Sequence, residues 1–160
     1  MMMGLDMYLY KREYVGGWDW KIADEDKDER AMYDTIREYM NAERCEGSPH
    51  AYVEICVAYW RKANAVHKWF CDLDGVRDEC QSIYVTKDKL IELRDLCNQI
   101  IGQPAMAASA LPTQPGFFFG SYDYDDWYME DMKNTVSQID QILESVGDKE
   151  YADFIYRASW

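Results

Sequence analysis

The sequence predicts an α+β fold: a small, mostly antiparallel sheet with three to four helices, in a single domain spanning residues 1–160. Three observations carry that expectation. Strand-like stretches stand at both ends of the chain: Leu5, Met7 and Leu9 alternate with Asp6, Tyr8 and Tyr10, and the final run YADFIYRASW is aromatic and short of charge. Helical apolar spacing occupies the interior, at Met32–Met40, Leu90–Ile100 and Met132–Leu143. With 160 residues, 48% of them hydrophobic and 15% aromatic, the chain can bury one core without staples and is too aromatic for disorder.

The elements follow in order. Residues 5–15 read as a strand, Gly16-Gly17 as a turn, and Trp18 to Ile22 as a short return strand. The charge run 23–30 suits the start of a helix, where acids meet the positive dipole end. That helix has Met32, Tyr33, Ile36, Tyr39 and Met40 as its inner face and stops before Gly47-Ser48-Pro49. Residues 51–57 fit a strand or the first turns of a helix, and Tyr59 to Phe70 is helical by spacing until Asp72, Asp74 and Gly75 end it. Ser82 to Val85 is a short strand, and Thr86 caps the next helix, whose apolar face is Leu90, Leu93, Cys97 and Ile100.

Leu96 to Tyr122 carries no charged residue. Its middle, with Pro104, Pro112 and Pro115, reads as a loop. The Gly-bracketed run Phe117-Phe118-Phe119 fits a buried strand, or a loop lining a ligand cleft where glycine lets backbone approach closely. Asp123, Asp125, Asp126, Glu130 and Asp131 then open the last long helix, with Met132, Val136, Ile139 and Leu143 inward and Gly147 at its end. An ordered chain end is normally tied into a sheet, so the first and last strands are expected in one sheet.

The formal net charge is −13. Nucleic-acid binding and attachment to anionic membranes both depend on Lys and Arg, so neither is expected; the charge suits a basic protein partner, or serves solubility alone. No apolar stretch reaches the length of a membrane helix, and the first residues lack a basic region followed by an apolar run. We expect a cytoplasmic protein. Cys45, Cys56, Cys71, Cys80 and Cys97 form no Cys-x-x-Cys pair and no zinc spacing with His50 or His67. They are expected to be free thiols, mostly buried. No phosphate-binding loop, dinucleotide glycine fingerprint or HExxH motif is present, so no cofactor or metal is expected. Asp72-Leu73-Asp74-Gly75 lacks the later ligands of a calcium loop.

The most informative segment is 55–71. It holds Arg61, Lys62, His67 and Lys68 without one acid, inside an acidic chain. On a helix, Arg61, Asn64 and Lys68 would lie on one stripe and Trp60, Asn64, His67 and Cys71 on an adjoining one, so that Arg61, Asn64, His67 and Lys68 share a continuous face. Such a face suits a small anionic ligand, with Arg as fork donor and Lys as point charge, and the Trp60 indole can stack on a base or pack in the core. The alternative is an amphipathic helix whose cations pair with surrounding acids. His67 has no evident nucleophile or orienting carboxylate, so no catalytic residue can be assigned.

Gly4-Leu5-Asp6-Met7-Tyr8-Leu9-Tyr10-Lys11-Arg12, the block Tyr59 to Phe70, and Leu111-Pro112-Thr113 with Gly116 to Gly120 together resemble a family of small proteins of tailed bacteriophages and prophages. The resemblance implies a phage or mobile-element origin and a place in the host cytoplasm; it implies no mechanism. Three functions follow as expectations. The first is an acidic interaction protein that inhibits or redirects a host or defence protein with a basic surface. The second is a binder of a small, nucleotide-like anion through the Arg61, Asn64, His67 and Lys68 face. The third is a small enzyme with His67 as general acid or base.

Overall fold

A computed structural model describes residues 4–75, 79–148 and 152–160. Four strands form one antiparallel sheet in the order β2-β1-β4-β3: β1 (Asp6–Gly16), β2 (His50–Arg61), β3 (Ile83–Thr86) and β4 (Asp153–Ser159). Among the described residues there are five helices: α1 (Lys27–Tyr39), α2 (Asn64–Asp74), α3 (Lys87–Gly102), the single turn α4 (Ala107–Ala110) and α5 (Asp126–Val146). The α+β class is as expected. The first and last strands are neighbours in the sheet, also as expected. Tyr151, the first residue of the expected last strand, lies outside the described residues. The chain divides into two compact units, residues 1–11 with 56–160, and residues 12–55.

In the larger unit, Leu5, Met7 and Leu9 are fully buried while Asp6, Tyr8 and Tyr10 are half-buried. That is the period-two pattern of a sheet with one face on the core and one toward water. The core face continues through Ala58 and Trp60 of β2, Ile83 and Val85 of β3, and Phe154, Tyr156 and Ala158 of β4. β3 and β4 run antiparallel, with Ile83 opposite Tyr156 and Val85 opposite Phe154. Against this face lie Val66 and Phe70 of α2, Leu90, Leu93, Cys97 and Ile100 of α3, and Met132, Ile139 and Ile142 of α5. The other face carries an aromatic row: Tyr8 stands 5.4 Å from Tyr59 and 6.3 Å from Tyr10, and the Arg157 guanidinium sits 5.0 Å from the Tyr10 ring. The helix ends use local chemistry. Thr86 Oγ1 accepts from Lys89 N at the start of α3, and Asp125 Oδ1 accepts from Tyr128 N at the start of α5.

In the smaller unit, α1 forms but its expected inner face does not. Tyr33 is buried, whereas Met32, Tyr39 and Met40 are exposed. Gly17 packs beneath the Tyr33 ring so closely that a Cβ would stand 2.4 Å from it. The expected return strand at Trp18–Ile22 is instead a 3₁₀ turn over Asp19–Ile22. Its Asp19 binds both Arg30 and Arg44. On the strands, Arg12 lies 3.8 Å over the Tyr52 ring and pairs with Glu54.

Two further expectations are corrected. The helix expected from Tyr59 begins five residues later, at Asn64, because β2 continues through Arg61. Ala58 and Trp60 are buried while Tyr59 and Arg61 are exposed, so alternation wins over helical spacing here. Lys62 N donates to Leu5 O, and Lys62 itself turns the chain with a left-handed φ of 58°. The thiols are all free, but Cys45, Cys56 and Cys80 are exposed and only Cys71 and Cys97 are buried. The three exposed ones lie on a loop, an edge strand and a loop, where no second layer covers them.

Candidate functional site

The site is built where three pieces of chain meet: the turn leaving β2, the proline-bearing loop 111–125 and the first turns of α5. Asn64 joins them. It is buried, and its Nδ2 donates to Phe119 O and Ser121 O while its Oδ1 accepts from Gln114 N. Tyr side chains hold the rest of the loop. Tyr128 hydroxyl donates to Leu111 O, Tyr124 hydroxyl accepts from Thr113 N, and Tyr122 hydroxyl bonds both the N–H and the carbonyl of Gly116. Gly120 carries a φ of +85° and approaches Lys62 so closely that a Cβ would meet the Lys62 Cβ at 3.2 Å. A side chain there would face both backbone strain and a collision.

The triple-Phe run is neither a strand nor one environment. It forms a turn, closed by Phe119 N donating to Gly116 O. Phe119 is buried, Phe118 is half-buried with its carbonyl accepting from Leu5 N, and Phe117 is 93% exposed. Trp127, on the first turn of α5, is 78% exposed, with Tyr122 and Tyr124 also exposed. Asp123, Asp125, Asp126 and Glu130 are interleaved with these rings.

Beside this surface lies a cavity of about 370 Å³. Its charged lining is Arg61 and Lys62, where β2 ends, and Asp123, Asp125 and Asp131, from the loop before α5 and its first turns. Its apolar lining comes from Ala65, Val66, Tyr128 and Met132. Asp131 titrates at about 7, because burial penalises its charged form and Asp125 adds like-charge repulsion. Burial likewise pushes the Tyr128 hydroxyl up.

Of the five residues that the sequence brought together, only Arg61 and Asn64 reach the cavity. Trp60 is in the core, its indole N–H donating to Thr135 Oγ1 at 2.9 Å and its ring 5.8 Å from Phe70. Arg61 is on a strand, 3.6 Å from Asp6. Asn64 spends its side chain on the loop. His67 is buried, with Nδ1 2.7 Å from the Tyr156 hydroxyl and its ring edge-on to Phe119 and Trp160. Lys68 pairs with Asp72 at 2.5 Å. The shared face expected of them required one helix from residue 60 onward, and the strand ending at Arg61 removes it. Cys71 Sγ lies within hydrogen-bonding distance of the buried His67 ring, 3.6 Å from Nε2 and 3.9 Å from Nδ1.

The residues that sequence reasoning passed over are Lys62, Trp127 and Asp131. Asp131 had a signal: it follows Tyr128 by three positions and precedes Thr135 by four, so it lies on the stripe of α5 that turns inward. Among the described residues, no group of three or more His, Cys, Asp or Glu could hold a metal ion, and no helix is long and apolar enough to cross a membrane. The chain matches no protein-family model, no curated protein and no solved structure.

Proposed function

We propose that the protein acts by binding a protein partner with a basic surface, through the acidic, aromatic segment 117–130. The observation that carries this reading is the exposure of Phe117 at 93% and Trp127 at 78% in a stretch whose charges are all negative. Isolated exposed apolar residues are ordinary, but a Trp and a Phe with Tyr122 and Tyr124 make the composition of an interface centre. The acids around them supply steering and register toward cations, and they repel phosphates. The partner in this reading is a host or defence protein whose groove otherwise takes nucleic acid, and the protein blocks or redirects it. The resemblance to phage and prophage proteins supports a host-cytoplasm setting for that role.

The test is affinity capture from a bacterial lysate at low and high salt, with wild type beside Trp127→Ala and Phe117→Ala. Capture of a basic protein at low salt, weakened by salt and lost with Trp127→Ala, is the expected result. Capture indifferent to both substitutions would overturn the assignment of this surface.

A further inference from the structure

Lys62 forms no ion pair or hydrogen bond through its side chain among the described residues, and neither Asp123 nor Asp131 is in a salt bridge. The cavity's cations come from where β2 ends and its carboxylates from residues 123–131, with no ion pair between the two groups, and Arg61 is paired with Asp6, which is not part of the lining. The lining also has an apolar part that includes Val66 and Met132, both fully buried. The volume, about 370 Å³, falls at the small end of ligand pockets, which run from roughly 300 to 1,000 Å³.

The sign pattern narrows the ligand. A phosphate or nucleotide would meet Lys62 and Arg61 but also three carboxylates, and Arg61 is already shared with Asp6. A polyamine or a divalent ion would meet the carboxylates but also two cations. One small molecule carrying both an ammonium and a carboxylate, with an apolar part besides, meets neither conflict. We infer that this cavity binds a small zwitterionic amino acid, its ammonium beside Asp131 and Asp125, its carboxylate toward Lys62 and Arg61, and its apolar side chain on Val66 and Met132. Trp127 and Tyr128 offer ring surface that an aromatic side chain or the ammonium can use. The cavity shares Trp127 and its acidic rim with the proposed partner surface, but Lys62 and Asp131 lie outside 117–130, so substitutions at those two residues test the cavity apart from partner binding.

Isothermal titration at pH 8 would use L-leucine, L-phenylalanine and 4-aminobutyrate as probes, beside phenethylamine (no carboxylate) and 3-phenylpropionate (no ammonium). At least one zwitterion should bind, at least tenfold more tightly than its single-charge counterparts. Asp131→Asn and Lys62→Gln should each weaken it at least tenfold, with thermal melting showing both variants folded. Binding by none of the zwitterions, equal binding of the amine alone, or binding indifferent to both substitutions would overturn the inference.

Discussion

Replacing Asp131 by Asn removes a carboxylate that the fold holds at a disadvantage. In the folded protein this group titrates at about 7, against an ordinary value of 3.8. A carboxyl raised in this way favours folding while it is protonated, and that contribution is lost as pH rises from the ordinary value through the raised one. Taken whole, the shift corresponds to ~4 kcal/mol at about 1.36 kcal/mol per pH unit. Asp131 keeps some solvent access, and halving for that screening leaves ~2 kcal/mol. An amide of the same shape cannot ionise, so Asp131→Asn should match wild type near pH 4.5 and exceed it by ~2 kcal/mol near pH 8. Urea denaturation of both proteins across that range measures the difference directly, and every other titrating group cancels between them. An advantage that stays flat with pH within about 0.5 kcal/mol, the scatter of ordinary surface changes, would refute the assignment of Asp131 as a half-buried, repelled carboxylate.

Two other predictions concern the frame of the site. Asn64→Ala should cost roughly 3 kcal/mol in urea denaturation, since three hydrogen bonds are lost at about 1 kcal/mol each, and should deprotect the amide of Gln114 in hydrogen exchange; an unchanged Gln114 amide would contradict the role of Asn64 as the loop's anchor. Under native conditions a thiol reagent should label Cys45, Cys56 and Cys80 rapidly and leave Cys71 and Cys97 until unfolding, Cys97 being both buried and pushed up to about 12; rapid labelling of Cys97 would contradict its place in the core.

Much of the fold was legible because several elements carry one pattern each. The start of β1 alternates as far as Tyr10, α3 and α5 hold single apolar stripes, and Thr86 and Gly147 mark helix ends where expected. The site was less legible because its decisive segment carries two patterns at once. Tyr59-Trp60-Arg61 continues an alternation that begins in β2, and the same residues also fit helical spacing with Asn64 and His67; pairing with β1 decided between them, and that is a contact between residues far apart in sequence. The three Phe residues illustrate the same limit. Identical neighbours ended up exposed, half-buried and buried because a turn rotates each to a different side. α1 shows the opposite failure, where correct spacing predicted the helix but not which residues would find a second layer to cover them.

Amide hydrogen exchange of the protein alone and bound to its captured basic partner tests the central claim most directly. Protection gained across residues 117–130, at low salt and with wild type but not with Trp127→Ala, is the result predicted. Protection confined to other segments, with 117–130 exchanging as in the free protein, would contradict it.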